Sequence, residues 1–226
     1  MKCRKENKHY NQLKPQSFFF LLSNHIHKYS RDFIERKLHK GNSEVIPKSL
    51  KITGSIYSFS QGMLNMAKVL IIYYSRSGNT EKMAELVAEG LKKEKNIEVE
   101  VKPVQECRVE KLLDADGIVI GSPTYYGSMA SEVKKLLDDS IKLHGKLDGK
   151  IGGAFSSSGN IGGGNETTIM DILKALLIHG MIVQGTPKGD HYGPVSVGEP
   201  DERSKRLCTE YGQRIARLVL RMGGDL

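Results

Sequence analysis

Apolar and polar positions after residue 66 alternate between two rhythms. Val69 to Tyr74 is an unbroken apolar run of strand type, and Glu81 to Lys93 then carries Met83, Val87 and Leu91 on one stripe with Ala84 and Ala88 beside it. Ile97 to Val101 reads Ile-Glu-Val-Glu-Val, a strand with one wet face that belongs at a sheet edge. A short helix around Val109 to Leu113 leads to Gly117 to Gly121, whose Ile-Val-Ile centre has no polar face and suits an interior parallel strand. The spacing predicts a helix over Met129 to Ser140, a strand over Lys150 to Phe155 and a helix over Thr168 to His179, followed by a short strand at Met181 to Gln184. A last helix over Glu202 to Met222 is anchored by Leu207, Tyr211, Ile215, Leu218 and Met222.

Five strands alternating with helices predict an α/β fold: a doubly wound, five-stranded parallel sheet with right-handed crossovers, in the order 2-1-3-4-5. Ligands of such sheets sit outside the carboxyl ends of the strands, where the order reverses, here between the first and third strands. Three Gly/Ser-rich segments fall at strand ends: Ser75 to Thr80, Ser122 to Gly127 and Ser156 to Gly164. The first offers hydroxyls, a glycine for tight curvature and the open N–H groups of a helix start, a set that surrounds a terminal phosphate without a lysine. A dinucleotide fingerprint needs Gly-x-Gly-x-x-Gly and an acidic residue after the second strand, but this loop has one glycine and Lys102 stands at that strand end. A P-loop needs a lysine before its Ser/Thr, and none is present. A single phosphate loop with two aromatics in the second loop instead suits a mononucleotide carrying a planar ring.

Charge divides the chain of 226 residues in two. Residues 1–65 hold 12 Lys/Arg against 4 Asp/Glu, whereas residues 66–226 hold 22 of each, so the whole formal charge of +8 lies in the first segment. The neutral remainder argues against nucleic acid as a partner. The first segment has no sustained period, and its apolar cluster Phe18 to Leu22 is too short for a signal-peptide core or a membrane span. It reads as a basic extension, disordered or not native, ahead of a working start near Met66, with a true basic tail or an organelle-targeting segment as the alternatives. Residues 66–226 then form the single cofactor-binding domain. Cys3, Cys107 and Cys208 match no redox or metal-ligand spacing, so no metal site is expected and a reduced, cytoplasmic protein is.

Three stretches carry a family resemblance: Tyr74 to Thr80, Gly121-Ser-Pro-Thr-Tyr-Tyr-Gly-Ser-Met-Ala130, and Phe155 to Thr167 running into His179-Gly-Met181. Over residues 67–222 the chain resembles the flavodoxin-like FMN proteins, and most closely the tryptophan-repressor-binding-protein family of NAD(P)H:quinone oxidoreductases. The resemblance implies that Ser75, Arg76, Ser77, Gly78, Asn79 and Thr80 hold the FMN phosphate. Pro123, Thr124, Tyr125, Tyr126 and Gly127 would lie along the ribityl chain and ring. Ser157, Ser158, Gly159, Asn160, Ile161 and Gly162 would meet the pyrimidine edge, with Tyr192 in a late loop. His179, with Tyr126, is implied near the reacting ring. It implies electron transfer from NADH or NADPH through FMN to a quinone, in a homodimer or homotetramer, and the rival reading is an electron carrier without efficient NAD(P)H oxidation. An insertion usual in the family before Tyr192 is absent, and the Arg76 to Thr80 loop is nearer to general flavodoxins. From the residues themselves, Thr80 is either a phosphate ligand or a helix cap, Arg76 a contact or a surface charge, and His179 a helix-end cation stabilised by the dipole or a group near the ring. Tyr126, the Ser128-Met129 segment and the Tyr192 region are the expected subunit contacts.

Overall fold

A computed structural model of the chain describes residues 66–223. The basic extension lies outside the described residues. The elements are β1 (Ala67–Tyr73), α1 (Asn79–Leu91), β2 (Ile97–Pro103), β3 (Gly117–Tyr125), β4 (Ser128–Met129), α2 (Ser131–Asp139), β5 (Ile151–Ser158), α3 (Asn165–Ile178), β6 (Ile182–Val183), β7 (Val195–Val197) and α4 (Glu202–Met222). Short 3₁₀ turns occupy Val104–Glu106, Val109–Asp114 and Ser140–Leu143.

The main sheet runs β2-β1-β3-β5-β6, all parallel, which is the order expected from the sequence with β5 and β6 as the fourth and fifth strands. Two short strands were not legible in the pattern. β4 folds back antiparallel on the end of β3, and β7 pairs in parallel with the end of β5. The fifth strand is therefore split: β6 covers Ile151 and Gly152, the chain leaves the sheet over residues 184–194, and β7 returns beside Ser156, Ser157 and Ser158.

Strand alternation builds two cores. Leu70, Ile72, Ile118 and Ile120 face α2 and α3, where Val133, Leu136, Ile169, Ile172, Leu173 and Leu176 close the layer. Val69, Ile71, Val119, Ile151 and Phe155 face α1 and α4 on the other side. The α1–α4 layer is unusually close because two glycines meet there. A Cβ on Gly212 would stand 2.1 Å from the carbonyl oxygen of Val87, and one on Gly90 would stand 2.1 Å from that of Thr209. Backbone blocks the site on both sides, so no rotamer change makes room. Gly212→Ala is expected to push the two helices apart and to cost about 1–3 kcal/mol, the usual range for overpacking. Urea unfolding of the two proteins checks this through the shift in midpoint at constant m.

Candidate mononucleotide site

Parallel strands deliver β1, β3 and β5 to one edge, and the three segments singled out in the sequence meet there. The first loop leaves β1 at Tyr74 and enters α1 through Gly78, whose φ of 87° only glycine adopts freely. Ser75 Oγ accepts from the Gly78 amide at 3.1 Å and closes the loop on itself. No side chain caps α1. The first amides of a helix have no intrahelical acceptor, so the start of α1 is an open donor end carrying the positive end of the dipole. The sequence left Thr80 as a possible cap, but Gly78 occupies that position and Thr80 lies buried in the first turn. The Thr80 hydroxyl instead shares a hydrogen bond of 2.8 Å with Ser157 Oγ on β5. Arg76 and Ser77 stand exposed at the loop tip, and Asn79 is half-buried at the first helical position. Glu81, the one carboxylate in that first turn, accepts from the Tyr73 hydroxyl at 2.6 Å. Burial, then the bond to Glu81, pushes the Tyr73 phenol up to about 12, so this tyrosine stays a donor.

The second loop is a hairpin between β3 and β4. Thr124 pairs with Met129 and Tyr125 with Ser128, which leaves Tyr126 and Gly127 as a two-residue turn with φ of 51° and 80°. Positive φ at both positions is a type I′ turn, and Tyr126 is a bulky residue held in a backbone region that disfavours it. Its side chain is fully exposed, while Tyr125 meets Tyr74 edge-on with centroids 6.3 Å apart. Pro123, half-buried, sits in β3 opposite Ser157.

The third loop joins β5 to α3. Ser157 and Ser158 are buried, Ser158 Oγ donates to the Asn160 carbonyl at 2.8 Å, and Gly159, Asn160, Ile161 and Gly162 are exposed. Gly164 starts α3 with φ of 101° and again no side-chain cap. A Cβ there would stand 2.9 Å from Gly127 Cα, so the second and third loops touch through their backbones. Thr167 Oγ1 donates to the Gly127 carbonyl at 2.6 Å, and Ser128 Oγ donates to Asp171 at 2.6 Å, which ties the hairpin to α3.

Beneath the loops lies a layer of hydroxyls that sequence reasoning missed. Thr124 Oγ1 bonds Ser156 Oγ at 3.0 Å, receives Thr168 Oγ1 at 3.0 Å and donates to Asn165 Oδ1 at 3.2 Å; Asn165 Nδ2 in turn donates to the Ser196 carbonyl on β7 at 3.1 Å. Ser122 Oγ accepts the Ala130 amide at 2.9 Å. Buried polar groups need such partners, and the Ser156–Ser158 run with Asn165 and Thr168 at the next helix start was the signal available. The late loop reaches the same edge by a different device. A Cβ on Gly193 would lie 2.1 Å from the Ala154 carbonyl oxygen, so only glycine lets this backbone against β5; its neighbour Tyr192 is half-exposed.

His179 does not join this group. It follows the last turn of α3 and precedes β6, at the amino edge of the sheet, with the whole length of a 14-residue helix, about 20 Å, between it and the third loop. The implied place beside the ring is therefore not met within one chain. Its surroundings also disfavour the cation expected at a helix end. Ser140 Oγ donates to the Leu137 carbonyl at 2.6 Å and so accepts from His179 Nε2 at 2.7 Å, which leaves Nδ1 as the unprotonated nitrogen, without a partner among the described residues. Burial, with His144 beside it, holds the imidazole below its ordinary range. Burial and the neighbouring imidazole thus act against the dipole term at the helix end.

An α/β sheet with an uncapped helix start behind its first strand, two further loops at the same edge and aromatic rings on one of them is the class of architecture suited to a mononucleotide phosphate. Residues 70–168 match the Flavodoxin domain family. A flavodoxin of Aquifex aeolicus is 47% identical over 162 residues, covering 68% of this chain and 88% of the relative. An NAD(P)H dehydrogenase (quinone) of Archaeoglobus fulgidus is 34% identical over 188 residues, covering 68% of this chain and 98% of the relative. The crystal structure of a flavodoxin, WrbA-like protein, from Agrobacterium tumefaciens superposes with a TM-score of 0.59 at 25% identity, over 69% of this chain and 98% of that one. The chain belongs to the flavodoxin family.

Replacing Ser75 and Thr80 together with alanine removes two hydroxyls from the first loop and the start of α1, where the resemblance implies the FMN phosphate; a hydroxyl bond to a charged group is worth roughly 1.5–3 kcal/mol. FMN affinity is expected to fall at least about a hundredfold, measured by fluorescence titration, with the circular dichroism of the apoprotein unchanged. A second expectation concerns His179. Its folded-state pKa is depressed, so its contribution to stability is complete above the unfolded value of about 6.5 and is lost as pH falls through that value toward the folded one. Unfolding free energy measured at about pH 7.5 and about pH 5.5 should drop more in the parent than in His179→Gln.

Proposed function

We propose that the chain binds FMN at the carboxyl edge of its sheet and transfers electrons through it, from NADH or NADPH to a quinone. The observation that carries the binding step is the uncapped N-terminus of α1 behind Ser75, Asn79 and Thr80, an anion site made of neutral donors. The quinone reading is supported by the likeness to the Archaeoglobus fulgidus protein over nearly all of that relative's length and by the second and third loop motifs.

The chain's own residues supply position and environment. Ser75, Ser77, Asn79 and Thr80 would hold the phosphate with hydroxyls, an amide and helix N–H groups, and Arg76 is close enough in sequence to add a charge from the loop tip. Thr124, Tyr125 and Tyr126 would wall the sugar chain and ring, and the loop from Ser157 to Gly162 would present backbone groups to the polar ring edge. Gly78, Gly127 and Gly162 leave open space at these loops, where an added Cβ would meet nothing within 4 Å. Bound FMN supplies the redox chemistry, taking up a hydride or electrons from a donor and releasing them to an acceptor. No nucleophile or general base is then required of the protein. Glu81 matters by its restraint: the Tyr73 hydroxyl holds this carboxylate, which lowers its repulsion of a neighbouring phosphate.

A carrier function is the second reading. It is favoured by the higher identity to the Aquifex aeolicus flavodoxin and by the short excursion over residues 184–194, which offers little chain to build a substrate pocket. One assay separates the two. FMN-loaded protein is expected to oxidise NADH or NADPH with benzoquinone as acceptor, followed by loss of nicotinamide absorbance. Protein that holds FMN, shows no such turnover and passes electrons to a redox protein such as cytochrome c is a carrier.

A further inference from the structure

The split fifth strand returns to the sheet under the hold of one carboxylate. β7 is three residues long and pairs with β5 alone among the described residues. Three residues are the short end of the strand range, so the ladder by itself holds β7 weakly. Asp190, in the excursion before it, supplies the rest. Its Oδ2 accepts from the Val195 amide at 2.9 Å and its Oδ1 pairs with Arg203 in the first turn of α4. Its side chain is only 11% exposed, although it stands in a loop. The next residue of α4 completes the hold: Ser204 Oγ donates to the Val195 carbonyl at 3.1 Å, while the Ser204 amide is capped by Asp201 at 2.8 Å. Both backbone groups of Val195 are thus satisfied by side chains, which closes an edge that would otherwise stand open.

Two consequences reach the carboxyl edge. Tyr192 lies between the Asp190 anchor and Gly193, whose backbone rests against Ala154, so the segment that carries its ring is fixed on both sides. Ser196, next to Val195, accepts from Asn165 Nδ2 at 3.1 Å through its carbonyl, and Asn165 Oδ1 accepts from Thr124 Oγ1 at 3.2 Å. A line of hydrogen bonds therefore runs from Asp190 through β7 and α3 to Thr124 in the second loop. The outer part of the excursion is held differently: Thr186 and His191 bond each other, and Lys188 and Gly189 are exposed between them.

We propose that Asp190, clamped by Arg203, is a positioning residue for the cofactor site: it sets Tyr192 at the carboxyl edge and, through β7 and Asn165, steadies Thr124. The inference rests on the FMN reading given above. An aspartate suits the role because one carboxylate must accept an amide and a guanidinium at once, and its charge strengthens both bonds. Exposed ion pairs contribute little, but this carboxylate is largely out of water and its loss leaves the Val195 N–H without its acceptor. Asparagine in its place keeps an oxygen for Val195 and gives up only the charge that faces Arg203.

The test uses two readouts on the full chain: the rate of trypsin cleavage after Lys188 in the apoprotein, followed by mass spectrometry, and FMN affinity by fluorescence titration. Asp190→Ala is expected to speed that cleavage and to weaken FMN binding, each by about tenfold. Asp190→Asn should recover most of both, and Arg203→Met should match it. Arg206→Ala, which loses an exposed pair with Glu210 farther along α4, should change neither. Parent-like cleavage in Asp190→Ala overturns the proposal, as does a loop that opens while FMN affinity stays intact, or an Asp190→Asn protein that behaves like the alanine variant. If Asp190→Ala fails to fold, Arg203→Met against the parent decides by the same two readouts. A parent that takes up no FMN instead fails the cofactor reading, and the cleavage rates, which need no FMN, then decide the clamp alone.

Discussion

Every turn from strand to helix in a parallel sheet leaves from the same edge, and the site depends on that constraint. β1, β3 and β5 are neighbours in space although separated in sequence, so their loops converge without any long-range signal beyond the strand register. The register brings Tyr73 opposite Gly121 and Gly121 opposite Phe155. Gly121 is required there, since a Cβ would stand 2.2 Å from the Phe155 ring. One residue beyond this level the chain changes chemistry, from Ile, Val and Phe to Ser122, Ser156 and Ser157. The hydrophobic core thus ends in a floor of hydroxyls, and the loops stand on that floor.

A floor of hydroxyls is a costly choice unless each group is paired, because an unpartnered buried hydroxyl costs as much as a lost hydrogen bond. Here Thr80 bonds Ser157, Thr124 joins Ser156, Thr168 and Asn165, and Ser122 takes an amide. The network joins β3, β5, α1 and α3, so the loops are positioned by the same bonds that make burial tolerable. It carries no charge. An anion at this edge would meet oriented dipoles from two uncapped helices and not a fixed cation, a setting in which a phosphate is held without drawing in competing carboxylates.

Much of this was legible in the sequence, and the failures have particular causes. Continuous apolar runs gave β1 and β3, and the alternation in Ile97 to Val101 gave the edge strand β2. β4 and β7 escaped because two or three residues carry no period. Residue type alone makes Thr80 a candidate cap as well as a candidate ligand, but a glycine with positive φ takes the cap position and leaves the threonine hydroxyl for a longer-range partner. His179 is the instructive case. In a parallel sheet the helix after β5 must run back to the amino edge, so the residue at its C-terminal end is carried away from the loops by the topology already inferred.

The two helical layers also differ in a way that pattern alone did not disclose. On one face Gly90 and Gly212 let α1 and α4 approach backbone to backbone, which closes the layer and leaves no large apolar side chain outside. On the other face α2 and α3 have no such glycine pair, and a groove lined by Leu137, Ile141, Ala175 and Ile178 lies between them. Helices bearing isoleucine on their outer stripe are stable in water only at the expense of exposed apolar area, and none of the described residues covers Ile141 or Ile178. The sheet needs a covering layer on both faces. Among the described residues one face is sealed by its own helices, and the other keeps a groove between α2 and α3.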